Sequence, residues 1–162
     1  MNGSGDPIDE ARQESARALI DSLALPSVVT WAQLQARVEE VRGKAIRLNM
    51  VADRDFPTTG WMNEHETFYA LTCRSWDKAV VQQHAIFHEL GHILYGHRGC
   101  HVLEQVPHDL FDSEGMRGGI LAAFARGLTL DEDELEAEAF AYTLMNRMVR
   151  AAIEPGTEVF GV

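Results

Sequence analysis

The sequence predicts an α+β domain in which helices pack on a small, mostly antiparallel three-stranded sheet. The segment AIRLNMV alternates apolar and polar side chains, which is typical of a half-buried strand. The segments GWM and TFYALTC flank NEHE and are typical of a hairpin that supplies the other two strands. Apolar residues recur with helical spacing in four further segments, at about 8–25, 28–42, 76–96 and 129–152.

Residues that favour helix ends bound these segments. The expected N-terminal caps are Asp6 before Pro7, Ser75, and Thr129 paired with Glu132 in a capping-box pattern. The expected ends are Pro26, Gly43 and Gly96. All 162 residues are assigned to one domain, with residues 1–5 expected to be disordered and residues 98–128 expected to form a loop and short-helix insertion.

Composition excludes several classes of protein. The chain is 46% hydrophobic and 24% charged, as in globular proteins, and its net charge of -11 argues against direct binding to nucleic acid. No apolar run is long enough to span a membrane, and the N-terminus lacks the pattern of a signal peptide. Two cysteines do not make a disulfide framework, so we expect a cytoplasmic protein.

The stretch HAIFHELGHILYGH contains the metal-binding pattern H-E-x-x-H. His88 and His92 are four residues apart, so on a helix both imidazoles can point at one ion. Glu89 is rotated by about a quarter-turn from His88, which suits a general base beside a metal. The simpler alternative is an amphipathic helix whose polar side faces water. Two imidazoles and a carboxylate would match zinc.

A third ligand would have to come from the acidic start of the last helix. Glu136 lies in line with the apolar residues Phe140 and Leu144, so its carboxylate belongs to the buried face and needs a partner there. Glu132 and Glu134 are assigned to capping and to solvent instead. The sequence therefore predicts Glu136 as the third ligand.

HELGHILYGH followed by ELEAEAFAYTLM resembles the ImmA/IrrE family of zinc metallopeptidases, which carry H-E-L-G-H-x-x-x-G-H and a later E-A-[ND]-x-F-A. GWMNEHETFYAL resembles the strand, turn and strand that precede the family's metal helix, so the resemblance covers about residues 28–150. It implies a zincin-like fold of the gluzincin type, in which a glutamate is the third zinc ligand. It makes His88, His92 and Glu136 the ligands of Zn²⁺ and Glu89 the catalytic base.

Other residues are candidates to hydrogen-bond a ligand or to stabilise the transition state. His97 matches the family's trailing histidine, Glu138 stands where the family usually has Asn or Asp, and His84 lies one turn before His88 where the family tends to be apolar. Candidates to stabilise an oxyanion are Tyr95, His101, His108 and Tyr142, although core packing is the default expectation for Tyr142. The segment HRGCH lacks the further cysteines of a zinc signature.

The expected activity is that of a zinc endopeptidase of narrow specificity. The resemblance implies that the substrate is a helix-turn-helix transcriptional repressor of a mobile element, such as a phage, or of a stress regulon, whose cleavage would release its genes. An acidic protein suits a basic DNA-binding partner. The alternative is a non-cleaving antirepressor or toxin-type binding module with a structural or vestigial zinc site. Hydrolysis of a small amide or a cell-wall peptide is disfavoured because no export signal is visible.

Overall fold

The computed structural model describes residues 7–97 and 132–153. In this part of the chain four helices and a three-stranded sheet form an α+β arrangement, as predicted. The elements follow in the order α1 (Pro7–Ser22), α2 (Trp31–Arg42), β1 (Ala45–Val51), β2 (Gly60–Glu64), β3 (Phe68–Arg74), α3 (Ala79–Tyr95) and α4 (Glu132–Ile153). The predictions for residues 1–5 and 98–128, and the caps at Asp6 and Thr129, lie outside the described residues.

The sheet is mixed, which differs from the mostly antiparallel sheet expected. β3 lies in the centre, with β2 antiparallel on one side and β1 parallel on the other. The hairpin of β2 and β3 is confirmed, and the amide of His65 donates to the carbonyl of Phe68 at 2.8 Å in its turn. Alternation of side chains identifies a strand but not its neighbour, so the sequence carried no signal for the parallel pairing of β1 with β3.

The helix ends match the predictions in part. Gly43 ends α2 with φ +69°, as the sequence predicts, and Thr30 begins it with a capping box shared with Gln33. Gly96 likewise ends α3 with φ +73°. Ser75, however, does not cap α3, which begins only at Ala79.

The segment before α3 is a turn held by one side chain. The side-chain amide of Gln82 donates to the carbonyls of Arg74, Ser75 and Asp77 at 2.9–3.1 Å. The amide of Ser75 donates to the carbonyl of Val51 and so extends the β1–β3 pairing. These bonds hold residues 75–77 in a turn, so the helix begins only at Ala79.

The hydrophobic core lies between the sheet and the helices. α3 packs against α4 and against both β2 and β3, α1 covers α4, and α2 packs on α3 and β1. The alternate residues Tyr69, Leu71 and Cys73 of β3 are buried, as expected for a central strand. The core residues without exposed surface are Ala16, Leu34, Val38, Leu90, Ala137, Phe140, Ala141 and Leu144. Among the described residues, no helix has both the length and the apolar character to cross a membrane.

Candidate metal centre

Helix α3 brings the two histidines of the H-E-x-x-H pattern together. The Nε2 atoms of His88 and His92 are 3.1 Å apart, and the ring centroids are separated by 4.8 Å. His92 is 1% exposed, because α3 is enclosed by the sheet on one side and by α4 on the other. The predicted convergence of the two imidazoles is therefore present in the folded chain.

The carboxylate that joins them is Glu134. Its oxygens lie 3.1 Å from Nε2 of His88 and 3.2 Å from Nε2 of His92. One donor atom from each of His88, His92 and Glu134 falls within a group whose members are at most 4.8 Å apart. Glu136, the ligand predicted from the sequence, is not part of this group. Glu134 was expected to face solvent at the acidic start of the helix, and that expectation is wrong, because its side chain is only 17% exposed.

Helix geometry explains this difference. Residues two apart on a helix are separated by about 200° of rotation, so Glu134 and Glu136 cannot face the same neighbour. Ala137 of α4 meets Gly91 of α3, and Glu134 lies one turn before Ala137. A stripe chosen from large apolar residues pointed to Glu136. The stripe that starts at Glu134 continues through the alanines at 137 and 141, which are fully buried but too small to mark a buried face in the sequence.

The glycine of HELGH makes this close approach possible. A Cβ atom placed on Gly91 would lie 3.0 Å from Cα of Ala137 and 3.3 Å from Cβ of Phe140. Gly91 therefore lets another segment approach closely, and that segment is α4. The carboxylates of α4 reach the imidazoles of α3 because the two helices are this close.

Each imidazole also has a partner on its other ring nitrogen. Nδ1 of His88 lies 3.3 Å from Oε2 of Glu138, whose other oxygen contacts Nε2 of His84 at 3.1 Å. Nδ1 of His92 lies 3.1 Å from Nδ1 of His97. The candidates Glu138, His84 and His97 are therefore all brought to the site, where they can orient the two histidines.

His97 also belongs to a second group of possible metal-binding side chains. Its Nε2 atom lies 2.9 Å from a carboxylate oxygen of Glu136 and 3.5 Å from one of Asp133. Donor atoms of these three residues fall within 4.8 Å of one another. Glu136 is thus at the edge of the site, in contact with His97.

Glu89, the residue predicted to be the base, is buried in α3. It is 3% exposed, and no partner among the described residues bonds its Oε2 atom. Burial raises the pKa of Glu89, against the opposing influence of His88 and His92. A Cβ atom on Gly60, the first residue of β2, would lie 3.4 Å from Oε1 of Glu89, so the edge strand begins beside this carboxylate. A buried carboxyl oxygen without a partner is costly unless a bound group completes it.

Contacts between the histidines and glutamates of the cluster shift the pKa values of several of these side chains. Burial alone would lower the pKa of His88, but hydrogen bonds to Glu134 and Glu138 outweigh it and raise that pKa to about 10. Burial would raise the pKa of Glu134, yet hydrogen bonds to His88 and His92 hold it well below its usual value. Hydrogen bonds to His84 and His88 lower the pKa of Glu138 in the same way. Without a metal, a proton on His88 therefore balances the carboxylates, and a cation would replace that proton.

The remaining candidates are further from the cluster or outside the described residues. Tyr142 is 58% exposed and lines the groove between α1 and α4, so the expectation of core packing is wrong. The hydroxyl of Tyr95 lies 3.2 Å from Oγ of Ser15, and its ring stacks on His97. His101 and His108, together with Cys100, lie outside the described residues.

The assembled side chains could hold a metal ion. Two imidazole nitrogens and one carboxylate match the ligands of catalytic zinc sites, which leave a position for water or substrate. None of the protein-family models, curated proteins or solved structures compared with the chain matches it.

Proposed function

We propose that the protein is a zinc metallopeptidase with a zincin-like fold, with His88, His92 and Glu134 as ligands and Glu89 as the general base. One observation carries the proposal: two Nε2 atoms and a carboxylate converge beside a buried carboxyl whose Oε2 has no partner among the described residues. A zinc ion held there would lower the pKa of a water molecule and polarise a carbonyl group. Glu89 would take the water's proton at Oε2 and pass it to the leaving amine.

The donor set supports zinc over other common divalent cations. Imidazole nitrogens suit zinc, whereas magnesium and calcium prefer oxygen ligands throughout. Glu138 and His97 lie within hydrogen-bonding reach of the imidazole nitrogens of His88 and His92 that do not converge. Such bonds are the usual companions of zinc-binding histidines.

The edge strand β2 is the proposed place for a peptide substrate. β2 pairs only with β3 among the described strands, so its other side can accept an added strand. Its first residue, Gly60, adjoins Glu89, so a peptide along this edge would pass the proposed base. Main-chain hydrogen bonds along β2 would bind peptides of many different sequences, so selectivity for one substrate would depend on other contacts with it.

The proposed substrate is a helix-turn-helix repressor, cleaved to release the genes it controls. This rests on the resemblance of HELGHILYGH and ELEAEAFAYTLM to the ImmA/IrrE family. The net charge of -11 agrees with a basic DNA-binding partner. A protein that binds such a repressor without cutting it is the alternative, and the cleavage experiment separates the two.

Metal binding tests the ligand set. We expect about one zinc per chain, and Glu134→Ala should weaken zinc binding by more than about 100-fold. Glu136→Ala should weaken it by only about 10- to 100-fold. Glu132→Ala is the matched control, because Glu132 is on the same helix but pairs with Arg12. If Glu136→Ala abolishes binding and Glu134→Ala does not, Glu136 is the third ligand after all.

Cleavage tests the activity. The protein would be mixed with zinc and with the repressor encoded nearest its gene, and the products would be read by intact mass, with Glu89→Gln in parallel. One defined cut that is lost in Glu89→Gln would support the peptidase, the base and the substrate class together. A repressor that is bound but not cut would support the alternative, and a cut that persists in Glu89→Gln would refute the role of Glu89.

A further inference from the structure

The contact between His92 and His97 constrains where hydrogens lie in the site. The two Nδ1 atoms are 3.1 Å apart, and both side chains are nearly enclosed, at 2% and 8% exposure. Two neutral imidazole nitrogens bond only if one carries a hydrogen and the other offers a lone pair. The Nε2 atom of each ring also has a neighbouring polar group, and these contacts limit which of the two Nδ1 atoms can carry the hydrogen.

The carboxylate at the outer end of this chain of contacts decides the choice for the zinc-bound site. The carboxylate of Glu136 lies 2.9 Å from Nε2 of His97 and can only accept, so that nitrogen carries the hydrogen. Nδ1 of His97 then has a lone pair and accepts from Nδ1 of His92. With its hydrogen on Nδ1, His92 could offer the lone pair of Nε2 to a zinc ion held with His88 and Glu134, and that ion would replace the hydrogen bond between Nε2 and Glu134.

We propose that Glu136 and His97 are positioning residues that hold His92 in the tautomer and orientation needed to bind zinc. This inference rests on the proposed function, because it assumes that His92 is a ligand. It gives Glu136 a role in the site without making it a ligand. It also explains why a buried histidine follows the metal helix directly after its final glycine.

A second cation at His97, Asp133 and Glu136 is the competing interpretation of the same residues. That cation would need the lone pair of His97 at Nε2, which moves the hydrogen of His97 to Nδ1. Nδ1 of His92 would then have to accept, and Nε2 of His92 would carry a hydrogen and could not bind a metal. For neutral rings joined by this hydrogen bond, the second site and the first exclude each other.

Two substitutions at His97 test the relay, by which we mean the hydrogen bonds that join Glu136, His97 and His92. His97→Phe keeps a ring that can stack on Tyr95, at a present centroid distance of 5.3 Å, but removes both nitrogens. It should lower zinc affinity by about 10- to 100-fold, as loss of an outer hydrogen bond does elsewhere. His97→Gln offers an oxygen to His92 and an amide hydrogen to Glu136, and should retain affinity within about tenfold of the wild type.

His65→Phe is the matched control. His65 is exposed in the turn between β2 and β3, where its ring stacks on Phe68 at a centroid distance of 4.2 Å, so the same substitution there should change zinc affinity by less than about threefold. Long-range ¹H–¹⁵N NMR of the zinc-bound protein gives a second readout. It should show hydrogens on Nδ1 of His92 and on Nε2 of His97.

Each failure has a distinct signature. Normal zinc binding by His97→Phe, or the opposite tautomers in the NMR spectrum, would overturn the relay and leave the zinc site standing. Two zinc ions in the wild type and one in His97→Phe would make His97 a ligand and would also overturn it. A wild-type protein that binds no zinc would refute the proposed metal centre and the relay with it.

Discussion

Substitution of Gly91 by Ala tests whether the distance between α3 and α4 controls the metal site. The added Cβ would meet Cα and the carbonyl oxygen of Ala137 at 3.0 and 3.2 Å. Both are backbone atoms, so no side-chain rotation can relieve the contact. The helices must therefore separate by a few tenths of an ångström.

The expected magnitude follows from two opposing terms. Overpacking a tight contact costs about 1–3 kcal/mol, whereas Ala is favoured over Gly within a helix by about 1 kcal/mol. The free energy of unfolding of the zinc-free protein should therefore fall by about 0–2 kcal/mol. Zinc affinity should fall by about tenfold, because Glu134 moves with α4 away from His88 and His92.

Gly43→Ala is the matched control. Gly43 has φ +69° with nothing within 4 Å of an added Cβ, so Ala there is strained by about 1–2 kcal/mol without crowding a neighbour. Urea unfolding in chelator and competition for zinc would be measured on both variants. Gly43→Ala should be destabilised with normal zinc affinity. If Gly91→Ala binds zinc as tightly as the wild type, the close approach of α4 does not position the ligand.

Three further predictions follow from burial and charge. The neighbouring glutamates raise the pKa of His88 to about 10 in the zinc-free protein, so zinc must displace a proton from His88 and zinc affinity should rise as the pH rises toward 10. Calorimetry at pH 8 in two buffers should show about one proton released for each zinc bound. A measurement that shows no proton release would contradict this prediction. The pKa of Glu89 is raised in the folded state, so burying its charge costs stability above the unfolded pKa of about 4.5. Glu89→Gln should therefore stabilise the zinc-free protein at pH 7, with the gain vanishing near pH 4 in urea unfolding; an unchanged stability at pH 7 would count against it. Cys73 is buried with a raised thiol pKa, so peptide mapping should find it alkylated only after unfolding, and rapid labelling of the folded protein would contradict its burial.

Local patterns were sufficient for much of the fold. The alternation of residues 45–51, the hairpin around NEHE and the glycines at 43 and 96 each correspond to an observed element or end. The start of α3 was not predictable in this way, because it depends on Gln82, whose side chain within the helix donates to the carbonyls of Arg74 and Asp77 in the preceding turn. The parallel pairing of β1 with β3 also had no signal, since strand order depends on contacts between segments.

Part of the candidate site could likewise be predicted from the sequence, and part depends on how the helices pack. The spacing of His88, Glu89 and His92 is a property of one helix, so two converging imidazoles and a neighbouring carboxylate can be predicted from the sequence. The choice of Glu134 over Glu136 depends on how α4 is rotated and how near it lies to α3. Gly91 lies against Ala137 where the two helices meet, and the burial of such small residues appears only when the helices pack. Helical periodicity identifies what each helix can offer, and packing between distant segments selects which side chains meet.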